Sequence, residues 1–286
     1  MRCGRARWIL PVCLLMIMST TPVTAQQPAV AVPPPQLDVP YVPTPQPVVE
    51  AMLRLAQVTP QDRLYDLGCG DGRIVITAAR QLGTRGVGVD LDPERIAEAR
   101  ENAREAGVAH RVRFLQQDLF ATDVREATVV MLYLLPRVNL QLRPTLLQTL
   151  RPGVRVVSHE FDMDDWPPDQ TERVDGSTLY LWIIPAQVAG TWTWQEAATA
   201  QAYTLQFTQH FQQVDGPLET LNESIPLEQV ELVGDQVRFQ ALLRLDDRLI
   251  RQTFSGRVQE NTLVGQIETP TARQPQRWVA RRTARE

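Results

Sequence analysis

Acids and glycines at fixed spacing carry the first chemical signal. Asp66-Leu-Gly68-Cys-Gly70-Asp-Gly72 sets three glycines at every second residue behind an acid. An apolar run precedes them and an amphipathic run follows. Such glycines let the backbone turn sharply and approach a ligand, and a helix starting there offers unpaired N–H groups. The spacing is not the G-x-G-x-x-G of dinucleotide sites. Asp66 and Asp71 would also stand where a pyrophosphate must lie, and like charges repel. A nucleoside bearing positive charge fits instead. Asp90 closes Gly86-Val-Gly-Val-Asp90, about 20 residues past the loop, where an acid takes ribose hydroxyls. Asp118, in Gln117-Asp-Leu119, ends a third run, where a carboxylate can accept the adenine amino group. These acids, with Leu91 and Leu119 beside two of them, point to S-adenosylmethionine, whose ammonium and sulfonium they favour.

The reacting side is read further along. Tyr133 follows an apolar run and leads into Leu-Leu-Pro136. No acid or Asn stands here before two prolines, so the segment offers no carboxylate to an adenine amino group, which argues against DNA adenine methylation. Ser158-His159-Glu160-Phe161 ends another run, with Glu160 placed to attract a cationic amine and His159 to relay a proton. Displacement at a sulfonium methyl mainly needs positioning. An amine acceptor must first lose its proton, and an apolar aromatic channel around Tyr133 favours that loss. Arg73 is expected to pack at a helix start.

These residues need a scaffold that delivers strand ends to one rim. Apolar spacing predicts a short helix through Val48–Ala56, with Thr44 as its cap and Pro45 in its first turn. Strands are predicted at 63–67, 86–90, 111–115, 128–132 and 154–158, and helices at 73–82, 92–106 and up to Leu150. A late strand at 178–184 is expected, with a partner near Glu172. Such alternation gives an α/β fold, a Rossmann-like, mostly parallel, doubly wound sheet. Beyond Pro185 the pattern changes to period-two alternation. Turns at Val233-Gly-Asp-Gln236 and Glu260-Asn261 suggest an antiparallel meander or small barrel of seven or eight strands. Trp192 and Trp194 are expected to pack in the core of this domain, the alternative being that one is exposed if their orientations alternate along a strand. The expected division is a leader at 1–25, a proline-rich linker at 26–40, a cofactor-binding domain at 41–186 and a β domain at 190–286, whose ligand the sequence does not name.

Arg2, Arg5 and Arg7 precede an apolar stretch from Trp8 to Met18, too short to span a bilayer, and Val23-Thr-Ala25 offers a cleavage site. This reads as an export signal, so the mature chain is expected in the periplasm or secreted. Initiation at Met16 or Met18 would leave it cytoplasmic. No later stretch reads as a membrane helix. The formal net charge of −4 becomes −7 when the three leader arginines are lost. An acidic body argues against a nucleic-acid partner. There is no lysine in the chain, so no lysine nucleophile. Cys69 alone remains after the leader, and His110, His159 and His210 lack ligand spacing, so no metal is expected.

Taken together, residues 40–185 resemble the class I S-adenosylmethionine-dependent methyltransferases. They are most similar to small protein-lysine methyltransferases that include the enzyme acting on the c ring of ATP synthase and broad-specificity archaeal enzymes. The shared segments are Tyr41-Val-Pro-Thr-Pro45, Met52-Leu53, Tyr65 through Ile74, Leu132-Tyr-Leu-Leu-Pro136 with Asn139, and Val156 through Phe161 followed by Trp166. The resemblance implies that Tyr41 and Thr44 embrace the cofactor beside Asp66, Gly68, Gly70 and Gly72. It also places Tyr133, Asn139, His159 and Glu160 on the reacting side. The acceptor is then a protein lysine. A small-molecule amine methyltransferase, or an exported binding protein that no longer catalyses, are the competing readings.

Overall fold

The computed structural model describes Met1 and residues 41–196, 200–245 and 248–285. The expected leader and linker lie outside the described residues. Two sheets organise the rest.

Sheet one alternates strands and helices: α1 (Gln46–Leu55), β1 (Arg63–Leu67), α2 (Arg73–Leu82), β2 (Arg85–Asp90), α3 (Pro93–Glu105), β3 (Val112–Gln116), β4 (Val129–Leu132), α4 (Pro136–Thr149), β5 (Arg155–His159), β6 (Gln170–Val174) and β7 (Ser177–Ile183). Their order is β3-β2-β1-β4-β5-β7-β6. Pairing is parallel from β3 to β5, and β7 runs antiparallel against β5. The order reverses between β1 and β4, and ligands of such sheets bind beyond the strand ends at that reversal. Apolar side chains cover both faces. Val48, Met52, Leu64, Ile74 and Ile96 pack on one side; Leu67, Val130, Leu142, Val156 and Trp182 pack on the other. Strands buried on both faces read as continuous apolar runs, as in Val129-Val-Met-Leu132.

Local chemistry explains most boundaries. Asp92 caps α3, its carboxylate accepting from Glu94 N, with Pro93 in the first turn. Gly83 ends α2 in the left-handed conformation. Thr44 does not cap α1: Pro45 holds that position with no side-chain bond, and the Thr44 hydroxyl is used elsewhere.

Sheet two is larger than the expected seven or eight strands. Ten strands fill it: β8 (Gly190–Gln195), β9 (Ala202–His210), β10 (Gln213–Asp215), β11 (Pro217–Glu219), β12 (Ser224–Pro226), β13 (Glu228–Val233), β14 (Gln236–Leu245), β15 (Arg248–Gln259), β16 (Thr262–Glu268) and β17 (Gln276–Ala284). Three have only three residues, too short for alternation to reveal. The path is β12-β11-β9-β8-β17-β16-β15-β14-β13, all antiparallel, curled into a nearly closed barrel, with β10 paired to β9. Its interior is aromatic. Trp194 stacks on Tyr203, and Phe239 stacks on Phe254 against the edge of Trp278. Trp192 and Trp194 are both buried, because residues two apart on a strand share a face.

Candidate active site

The loop after β1 is fixed from behind. Gly68 N and Cys69 N both donate to Val89 O, at 2.8 and 2.9 Å. Gly70 N donates to Asp90 Oδ2 (2.9 Å), and Asp92 N donates to Asp90 Oδ1 (3.0 Å). The Asp90 carboxylate therefore ties the glycine loop to the end of β2. Gly70 has φ 51°, and a Cβ there would lie 2.4 Å from the Tyr41 ring. The glycine thus serves close approach of the entry strap (residues 41–45) as well as backbone freedom. Gly72 is the N-cap of α2; it packs on Phe114 and Ala99 and does not line the cavity.

A cavity of about 230 Å³ opens in front of this loop. Among the expected residues, Tyr41, Thr44, Asp66, Gly68, Gly70, Asp90, Leu91, Asp118, Leu119 and Tyr133 line it. Asp118 Oδ1 accepts from Phe120 N at 2.8 Å, capping the 3₁₀ turn Leu119–Ala121. The lining also includes Arg73, Arg95, Leu134, Leu135 and Phe161. No motif or spacing in the sequence marks Arg95. It sits in the first turn of α3, where its guanidinium lies 4.8 Å from the Tyr41 ring centroid.

Asp66 is the electrostatic anomaly. It is 1% exposed, and its Oδ2 has no hydrogen-bond partner. Burial first, then repulsion from Asp90 and Asp71, push its carboxyl up to about 8. A buried acid without a partner, facing a cavity, is stabilised by an incoming cation. The S-adenosylmethionine ammonium meets that requirement. Asp71 behaves differently. Burial would raise it, but Arg73 Nε and Nη2 grip both oxygens at 3.0 and 2.6 Å and hold it below the usual carboxylate range. The expected repulsion of a pyrophosphate by Asp71 is thus cancelled by Arg73, and Asp66 argues against an anion instead by its need for a cation, since a neighbouring anion would further disfavour its carboxylate. Arg73 Nη1 also donates to Thr44 O at 2.9 Å, fastening the strap over the loop.

On the reacting side the structure separates the expected group. Tyr133, just past β4, faces the cavity, and its ring centroid lies 3.9 Å from that of His159. Burial, then the charge of Glu160, raise the Tyr133 phenol, so it is neutral at physiological pH. His159 is 1% exposed and stands behind Tyr133. Its Nδ1 pairs with Thr44 Oγ1 (3.3 Å) and its Nε2 with Ser177 Oγ (3.0 Å). Burial lowers its pKa against the opposing pull of Glu160. Both nitrogens thus meet hydroxyls, and the ring backs Tyr133 without lining the cavity itself; Thr44, which does line it, stands between. Asn139 is also not at the cavity. It is fully buried, and its Nδ2 donates to Ser158 Oγ (3.2 Å) and Phe161 O (3.1 Å), holding the turn after β5. Glu160 sits in that turn at φ 67°, half-buried, outside the lining and 3.7 Å from His159 Nε2. Phe161 is the residue of this segment that the cavity meets. Among the described residues no His, Cys, Asp and Glu group is arranged to hold a metal ion.

The reversal point, the acid-bearing strand ends and the glycine loop define a class I methyltransferase that uses S-adenosylmethionine. Residues 66–170 match the model of the ANTKMT methyltransferase domain. A protein-lysine N-methyltransferase of Saccharolobus islandicus (strain REY15A) is 48% identical over 151 residues, 51% of this chain and 94% of the relative. The adenine nucleotide translocase lysine N-methyltransferase of Mus musculus is 38% identical over 145 residues, 49% of this chain and 62% of that protein. A crystal structure from Salinibacter ruber, described as an RNA methyltransferase with S-adenosyl-L-homocysteine bound, is 59% identical with a TM-score of 0.51, over 51% of this chain and 96% of that one. The chain belongs to the S-adenosylmethionine-dependent protein-lysine methyltransferase family.

Proposed function

We propose that this chain transfers the cofactor methyl group to a lysine ε-amine of a protein. The observation that carries the reading is the far end of the cavity, lined by Tyr133, Leu134, Leu135 and Phe161 with no acid from β4. An apolar, aromatic wall favours the neutral amine over the ammonium, and the neutral amine is the nucleophile. The cofactor supplies an activated methyl group; the protein aligns donor and acceptor. In this reading Asp66 holds the methionine ammonium, Asp90 the ribose, and Asp118 the adenine amino group. Leu91 and Leu119 flank the base, Tyr41 and Thr44 close over the loop, and Tyr133 receives the acceptor N–H.

An RNA acceptor is the second reading, favoured by the description of the Salinibacter relative. Against it, Glu160, Asp162 and Asp164 crowd the segment around Phe161, and the chain is net acidic; a phosphate backbone seeks clustered cations. The two readings separate cleanly. The full chain is incubated with methyl-labelled cofactor and either protein or RNA from its own cells, and the products are hydrolysed. Methyl-lysine supports the proposal; methylated nucleoside without methyl-lysine overturns it. Because the chain has no lysine, labelled lysine must come from an acceptor.

We also propose that residues 1–25 are removed on export. N-terminal sequencing of the native protein tests this. A start near Gln26 supports it, and a start at Met1, Met16 or Met18 overturns it.

A further inference from the structure

Sheet two touches sheet one beside the acceptor wall. The tip between β9 and β10 projects Phe211 and Gln212 onto the segment that follows Phe161. Phe211 stacks on the fully buried Trp166, with ring centroids 5.6 Å apart. Gln212 Oε1 accepts from Trp166 Nε1 (2.9 Å), and Gln212 Nε2 donates to Pro167 O (2.6 Å). The Arg143 guanidinium of α4 also packs on Phe211, 5.4 Å from its centroid, and donates to Met163 O at 2.7 Å. The tip is itself rigidly held. Gln209 Nε2 donates to Phe211 O (2.7 Å) and Ala186 O (2.9 Å), and its Oε1 accepts from Val188 N (2.7 Å). Phe211 has φ 54°, a conformation that costs a bulky residue energy and persists where surroundings impose it.

We infer that Phe211 and Gln212 are positioning residues for the acceptor side of the cavity: sheet two sets acceptor fit by bracing the 161–167 segment without lining the cavity itself. The wall they brace has two supports. From α4, Asn139 and Arg143 hold the carbonyls of Phe161 and Met163. From sheet two, the tip covers the Trp166 ring and takes up its N–H. Losing the second support would leave a buried indole N–H unmet and a large ring uncovered, and such segments open locally. Half of this chain accounts for nearly all of the Saccharolobus relative, which leaves that protein no room for a ten-strand sheet. The brace is therefore built from residues beyond the length this chain shares with that relative. The inference rests on the lysine reading only in assigning the Phe161 side to the acceptor.

The test compares the full chain with the double variant Phe211→Ala/Gln212→Ala, with Gln212→Ala alone as the milder form should the double variant fail to fold. Hydrogen exchange is followed at residues 160–167, cofactor affinity by calorimetry, and KM and kcat with a lysine-containing peptide. Exchange in 160–167 is expected to quicken about tenfold or more while β1 and β2 stay protected. The peptide KM is expected to rise about tenfold, with kcat and cofactor Kd changed by less than about twofold. Phe211→Tyr, which keeps the ring, should restore the KM. Unchanged exchange overturns the inference, as does faster exchange with an unchanged KM. If the parent chain methylates no lysine, the lysine reading fails by itself. Faster exchange at 160–167 with intact cofactor affinity then still supports the brace, and unchanged exchange still overturns it.

Discussion

The Tyr133 ring lies against the His159 imidazole at 3.9 Å between centroids, with 35° between their planes. The histidine thus backs the tyrosine, and in the proposed reading the phenol meets the acceptor. Tyr133→Phe keeps the ring and its contact and removes only the hydroxyl. It is expected to lower kcat about tenfold or more, with cofactor Kd nearly unchanged. Single-turnover kinetics beside calorimetry check this, and an unaltered kcat removes the hydroxyl from the chemistry.

Asp66 makes cofactor binding a proton-linked event. In the cofactor-free protein its carboxyl is pushed up to about 8, so it is mostly neutral at pH 7. The cofactor ammonium favours the carboxylate, so binding at pH 7 should release a proton, and affinity should climb with pH until about 8 before levelling. Calorimetry in buffers of different ionisation enthalpy reads this directly; a heat independent of buffer would refute it. The stability of the cofactor-free protein moves the other way. Between the usual 3.8 and about 8 the folded state holds more protons than the unfolded state, so stability falls as pH rises through that window. Asp66→Asn should flatten that slope.

Gly70→Ala tests the strap. The new methyl would meet the Tyr41 ring, in a backbone conformation with φ 51° that disfavours a side chain. A stability loss of about 1–3 kcal/mol is expected, with a larger loss of cofactor affinity because the strap is displaced. Thermal unfolding with and without cofactor measures both. Equal stabilisation by cofactor in parent and variant would show the strap to be dispensable.

Asp90 holds the loop, and in the proposed reading it also holds the ribose; substitutions can part the two. Its carboxylate accepts from Gly70 N and Asp92 N, so Asp90→Ala should destabilise the cofactor-free protein by about 1–3 kcal/mol. Asp90→Asn can still meet one of those donors and should cost less. Both variants should lose cofactor affinity, since neither presents a full carboxylate to the ribose. If Asp90→Asn bound cofactor normally in calorimetry, the ribose assignment would be wrong.

Much of the cofactor half is legible in the chain because its signals are local. The glycine spacing, the Asp92-Pro93 cap and the apolar run at 129–132 each declare their structure within a few residues. The reacting side is less legible because its meaning lies in distant partners. The neighbours of His159 do not show what its nitrogens meet, which is Thr44 and Ser177, 115 and 18 residues away. Asn139 belongs to the turn it braces, and Asp71 is neutralised by an arginine two residues on that composition alone does not orient. Sheet two looks simpler in the sequence than it is because three-residue strands show no period. Nothing in the spacing of Phe211 or Gln212 announces that they meet Trp166.

Strand β17 pairs with β16 on one side and with β8 on the other. Residues 276–284 therefore lie in the middle of sheet two, although β8 was made more than eighty residues earlier in synthesis. The barrel stays split, with two raw edges, until that stretch has emerged. The β9–β10 tip is different: Gln209 fixes it to Ala186 and Val188, and it meets Trp166, so its contacts need nothing made after residue 212.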